Sequence, residues 1–345
     1  MFTTFYAAHA VGTDWQSLGQ QLREQLPQPC RGGIGLLWAT PALHDDRASI
    51  ALMLRSVTKT PLWSSVTADG IMGIPSGQQG AAVLILPYAP PECRLDSDAR
   101  DTPSDPVPGV TLWQGYGAES AAHHQKSPPS PQDFVLGAHF GLASDPRASS
   151  HVHFSPTVAI VSGVTQSCLP VGPTHSITRA RGDQIITIDD EPAQQILRQE
   201  IGATMLRTPA DWRDRIYIGL PERGHDRDDY HTVAIAALAS DGSITATEPV
   251  ETGRRLLFTA RSSAGAAHDL RAMLRATLAR SPTPHAALYY STSARRELFP
   301  ETGGELAHLR AALDPKIPLV GLHAEAVISG HRAHHDAGLL VLFGS

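Results

Sequence analysis

Two stretches of this chain repeat one unusual phrase: KTPLWSSVTADGIMG at Lys59–Gly73 and KIPLVGLHAEAVISG at Lys316–Gly330, 257 residues apart. Each reads Lys-x-Pro-Leu, then small or apolar residues, then Ala, an acid and an aliphatic pair. The flanks repeat as well. Before the first copy lie a strand pattern, GIGLLWA (Gly33–Ala39), and a helix pattern from Asp46 to Val57 with Ile50, Met53, Leu54 and Val57 on one face. Before the second lie HAALYYS (His285–Ser291) and a helix pattern, Gly304–Leu313, with Leu306, Leu309 and Leu313 inward. An apolar strand closes each unit, AAVLIL at Ala81–Leu86 and AGLLVLF at Ala337–Phe343. The distance from Pro61 to Ala81 equals that from Pro318 to Gly338, 20 residues.

The expected fold is therefore α/β: two related halves with mixed β-sheets and packed helices, built by an internal strand–helix–strand–strand duplication. A strand–helix–strand crossover makes its two strands parallel. The last two strands of each unit are then expected to pair antiparallel with each other.

Ahead of the first copy, Thr13–Asp14 precedes Trp15, Leu18, Leu22 and Leu26 at helical spacing and predicts a capped helix. Ser240-Asp241-Gly242 predicts a hairpin turn. Residues 90–130 are rich in Pro, Ser and Asp and read as a long surface excursion with one strand, GVTLWQG (Gly109–Gly115).

Composition bounds the function. The chain has 345 residues, 41% apolar and 18% charged, enough for two domains with real cores. A net charge of −6 without a basic stripe predicts no nucleic-acid partner. The longest apolar runs are strand-length and the N-terminus lacks a secretory pattern, so no membrane association is predicted. Cys30, Cys93 and Cys168 are too few and too scattered for a disulfide framework, which points to a reducing, cytoplasmic location.

Chemical motifs are sparse. SGVTQS is not a nucleophile elbow, and GIGLLWA lacks the third glycine of a dinucleotide fingerprint. His151 and His153 share a strand face at metal-ligand spacing but have no third partner, and His331, His334 and His335 read as a turn. No metal site is predicted. On the repeated strands Thr67 shares a face with Asp69, and His323 with Glu325. Packed pseudo-symmetrically, Asp69 and Glu325 would flank one cavity, and carboxylates there would hold a ligand amine or ordered water.

Five segments in order resemble the FIST sensory domain: LLWATPALHDD…PLWSSVTADGIMG, VTQSCLPVGPTHSITRARGDQIITIDDEPAQQIL, GRRLLFTARSSAGAAHDLRAML, ALYYSTSARRELF and IPLVGLHAEAVIS. The resemblance covers the chain outside 89–130. It implies a FIST N-terminal domain over 1–215 and a FIST C-terminal domain over 216–345. It implies a sensory and signal-transduction module that binds a small, amino-acid-like ligand and acts through a separate signalling output protein. The ligand-binding residues expected are Asp69, Ser144, Asp145, Cys168, His323 and Glu325, with no catalytic residue and no cofactor. One subgroup similar to this family binds haem and senses nitric oxide, which makes a haem sensor the alternative. An enzyme using Cys168 as nucleophile is the third reading. The sequence departs from the family where Ser291-Thr292-Ser293 stands in place of a Cys-bearing strand end, and where AEAVIS replaces a glycine-rich turn.

Overall fold

A computed structural model describes residues 5–30, 32–96, 108–116, 133–141, 149–202, 206–208, 212–221, 230–330 and 332–344. The chain divides into two compact units. Unit 1 is Met1–Thr165 together with Arg271–Ser345, and unit 2 is Gln166–Leu270. This division does not follow a cut at 215/216. Unit 2 is inserted into unit 1, and both repeated phrases belong to unit 1.

The strands run, in order, β1 (Tyr6–Val11), β2 (Ile34–Ala39), β3 (Leu62–Thr67), β4 (Gly70–Ile71), β5 (Gly80–Leu86), β6 (Cys93–Asp96), β7 (Gly109–Tyr116), β8 (Asp133–Phe140), β9 (Ser150–Phe154) and β10 (Ile160–Thr165). Unit 2 holds β11 (Cys168–Arg181), β12 (Gln184–Ile188), β13 (Glu191–Pro192), β14 (Ile216–Pro221), β15 (Tyr230–Leu238), β16 (Ile244–Ala246) and β17 (Arg255–Arg261). Unit 1 resumes with β18 (Ala286–Thr292), β19 (Leu319–Ala324), β20 (Ala326–Ser329), β21 (Arg332–His334) and β22 (Gly338–Phe343). The described helices are α1 (Trp15–Gln25), α2 (Arg47–Thr58), α3 (Ala193–Ile201), α4 (Ser263–Arg280) and α5 (Gly304–Ala312).

The chain is mixed α/β, as the sequence patterns predict. Two sheets of unit 1 share one strand order: β1-β5-β2-β3 and β10-β22-β18-β19, the second extended by β4. In each, the crossover pair is parallel (β2 with β3, β18 with β19). In each, the closing strand pairs antiparallel with the first strand of the unit, β5 with β2 and β22 with β18. The expected pairing of the last two strands therefore fails. Instead β5 lies between β2 and β1, and β22 between β18 and β10, so each is paired along both of its edges. Register follows the repeat: Ala81 faces Ala39, and Gly338 faces Ser291.

Alternation builds the layers. Ile34, Leu36 and Trp38 of β2, with Leu288 and Tyr290 of β18, enter one shared core between the sheets. Leu37 and Ala39 point the other way, onto Leu18 and Leu22 of α1 and Ile50 and Leu54 of α2. Asp14 caps α1 as its spacing predicts, accepting the Ser17 N–H at 2.8 Å, a contact worth about 1 kcal/mol. A third sheet, β21-β20-β8-β7-β9-β6, closes the core with Leu112, Leu136, Phe140 and Phe154. The expected strand at Gly109–Gly115 is part of β7, and His334, expected in a turn, lies in β21 paired with Val327.

Both outer sheet edges are blocked. Gln25 of α1 bridges the N–H and C=O of His9 on β1, at 3.1 and 2.7 Å. Arg280 of α4 donates to the Ser162 carbonyl on β10. Unpaired edges invite strand addition, and here long side chains occupy them.

Unit 2 is a closed antiparallel ring, β11-β17-β14-β15-β16-β12, with β11 and β12 completing the circle. Ile177, Ile188, Ile218, Val233, Ile244 and Phe258 fill it, together with Ile196 and Leu197 of α3. The hairpin read at Ser240-Asp241-Gly242 joins β15 to β16, with Asp241 accepting the Ser243 N–H at 3.0 Å and Gly242 at φ +87°.

Candidate functional site

Segments following β2, β3 and β18, with His323 near the end of β19, line one cavity of about 580 Å³ in unit 1. Open α/β sheets place ligands outside the carboxyl ends of their strands. The first repeat contributes Thr40–Ala42 and the loop Asp69–Gln78. The second contributes Arg296, Glu301, the start of α5 and His323. The crossing is made by Gly70, which pairs with His323 and so joins β4 to the second repeat's sheet.

Polar groups converge there. Asp69 is anchored by the Gly141 N–H, 2.9 and 3.1 Å from its two carboxylate oxygens. Arg296 donates to Ser76 at 2.9 Å, tying the second repeat's loop to the first's. Gly303, at φ +86°, caps α5, so the positive end of that helix opens on the cavity.

Burial drives the His323 pKa down to about 4, and the Arg296 charge adds to it, so this ring is neutral at physiological pH. Its Nδ1 is buried without a hydrogen-bond partner.

Behind the cavity wall lies a buried charged network. Glu305 receives Arg295 Nε at 2.8 Å and Nη2 at 2.6 Å, Tyr289 Oη at 2.8 Å, and the Ser291 hydroxyl. Arg295 is fully buried and also donates to the Thr165 carbonyl at 3.2 Å. Four donor atoms thus converge on one carboxylate, so a dry interior leaves it with its hydrogen bonds made.

Of the residues expected from sequence, Asp69 and His323 line this cavity. Glu325 stands on the other side of Gly141. A methyl at Gly141 would lie 3.3 Å from Glu325 Oε2 and 3.8 Å from Asp69 Oδ1. Glu325 is about half exposed, 3.4 Å from His139 Nδ1, and does not line the cavity. Ser144 and Asp145 lie outside the described residues. Cys168 is in unit 2, buried at the start of β11, with its carbonyl accepting the Tyr230 hydroxyl at 2.9 Å. Among the described residues no group of three or more His, Cys, Asp or Glu is placed to hold a metal ion. His153 bonds Thr111 at 3.1 Å, and His151 meets the edge of Trp113.

Arg296 and Glu305 were not singled out from sequence. The signal present was Gly303-Gly304 directly before a helix start, following two adjacent arginines.

Residues 193–325 match the family model of the FIST C domain. No curated protein matches the chain. Among the described residues no helix is long and apolar enough to cross a membrane.

Proposed function

From the premise that this chain carries a FIST C domain, a sensory rather than catalytic domain of signal-transduction proteins, we propose that the cavity of unit 1 is its sensing site. The N-terminal repeat then acts as the FIST N-terminal part, and the occupant is a small amino-acid-like molecule. One observation carries the reading: loops from both repeats meet at the carboxyl ends of their parallel strands, with Asp69 and Arg296 among the charged groups lining the cavity. Arg296 and the α5 N-terminus suit a ligand carboxylate, and Asp69 suits an amine. Such a module, cytoplasmic in this reading, passes its state to a separate output protein.

The test is a thermal-shift and calorimetric screen of the twenty amino acids, small amines and small carboxylates against the full chain. A zwitterion that stabilises wild type saturably, and does so at least about tenfold more weakly in Asp69→Asn and Arg296→Ala, supports the reading. If every hit is indifferent to both substitutions, the cavity is not the site.

A haem sensor is the second reading, favoured by His323: a neutral, buried imidazole with an unpartnered nitrogen at the cavity wall. Haemin titration separates the two. A stoichiometric Soret band lost in His323→Ala would replace the organic-ligand reading, and non-saturating absorbance would discard haem.

A further inference from the structure

Unit 2 contains a buried histidine held between two carboxylates from different elements. His175 lies on β11, its side chain 8% exposed, with Nδ1 2.7 Å from Asp189 Oδ2 and Nε2 3.5 Å from Glu200 Oε1. Asp189 sits in the turn after β12, at φ +49°, and its other oxygen accepts the Ser176 N–H at 2.8 Å. Glu200 sits in the last turn of α3.

The second carboxylate is fitted against backbone. Glu200 packs on Gly172, at φ +68°, where a methyl would overlap its carboxylate. The pairing of β11 with β17 shifts register between Val171 and His175, so the chain bulges at this place.

The two contacts are unequal. An ionised Asp189 only accepts, so Nδ1 must donate to it. In a neutral ring Nε2 is then an acceptor as well, facing a carboxylate that also only accepts. Nε2 accordingly has no hydrogen-bond partner. One added proton turns that face from acceptor against acceptor into donor toward acceptor.

Other charges around the ring are few. Beyond Asp189 and Glu200, β17 presents the uncharged Phe258 ring at 6.3 Å and, at its start, Arg254 and the exposed Arg255 opposite Ser176. The β11 neighbours Pro173, Thr174 and Ser176 carry no charge. Burial works against the Asp189 charge. The Ser176 N–H and the His175 ring outweigh it and hold that carboxyl below its ordinary range. It thus stays an acceptor when the solution becomes mildly acidic.

We propose that His175 is a proton-operated clasp that fastens α3 to the barrel: protonated, it bridges Asp189 and Glu200, and neutral, it releases Glu200 and the end of α3. The clasp is closed when the ring carries its second proton, with a donor facing each carboxylate, and open when it does not. It gives unit 2 an acid-responsive element that works independently of whether the unit 1 cavity takes a ligand.

The experiment is hydrogen–deuterium exchange of the full chain at pH 5.5 and pH 8, corrected for intrinsic exchange, read on peptides covering 193–201. Protection of α3 is expected to be about fivefold greater at pH 5.5, and Glu200→Gln is expected to remove the difference while the barrel strands exchange as in wild type. Equal corrected protection of wild-type α3 at both pH values overturns the proposal. So does a pH difference that survives in Glu200→Gln. Should that variant fail to fold, the wild-type comparison decides alone.

Discussion

Arg295 and Glu305 form a buried pair, Nη2 to Oε1 2.6 Å, and Glu305 is also among the residues that line the unit 1 cavity. Breaking such a pair from one side strands a charge. Arg295→Met is expected to cost about 3–5 kcal/mol in urea denaturation, and Arg295→Met with Glu305→Gln to recover part of it. A loss below about 1 kcal/mol for the single variant would show that water reaches the network.

The neutral His323 predicts an acid dependence. Its folded pKa is depressed from 6.5 to about 4, so its contribution is whole above about pH 6.5 and falls as the unfolded chain takes up a proton that the folded chain refuses. Between those values stability should drop by about 1.4 kcal/mol per pH unit from this residue. Denaturation curves at pH 7.5, 5.5 and 4.5 should show a shallower decline in His323→Gln. Identical slopes would mean the ring is hydrated.

All three cysteines are buried. Burial, aided by Glu92 at Cys93, pushes the thiols of Cys30 and Cys93 up to about 11 and about 12. Iodoacetamide at pH 7.5 should label none of the three in the native chain and all of them in urea. Fast native labelling of Cys168 alone would revive the reading of that residue as a nucleophile.

The repeat itself makes a prediction. Gly338 stands in register where the first repeat has Ala81, and Tyr289 where it has Leu37. A methyl at Gly338 runs into the Tyr289 hydroxyl. Gly338→Ala should cost about 1–3 kcal/mol, and adding Tyr289→Leu should return part of that loss, because it installs the first repeat's own pair. Strict additivity in denaturation would mean that the two sheets differ locally despite their shared order.

How much of this was legible in the chain follows from what kind of interaction decides each feature. The crossover strands were readable because Leu62–Thr67 and Leu319–Ala324 are short apolar runs behind amphipathic helices. The place of β5 and β22 within their sheets was not. Their residues are buried on both faces, and a continuous apolar run carries no information on its neighbours. The insertion of unit 2 was hidden for a related reason: β11 and β12 look like ordinary strands, and nothing local records that they close a ring. Asp69 and His323 stood out because a strand of alternating apolar residues ends on them. Arg296 did not, since its place depends on Ser76, 220 residues away in the chain.

The insertion has a consequence for what counts as a part of this protein. The segment that carries the family signature, 193–325, begins after β12 and stops before β22. It holds four strands of the barrel without the two that close it, and β18 and β19 without the strand that separates them from β10. Excised, it would present open backbone on both sides of a broken ring and along one side of β18, a surface made for aggregation. The segment matched by the family model is therefore not a unit of folding. The matched segment can only be assembled when the chain on both sides of it is present.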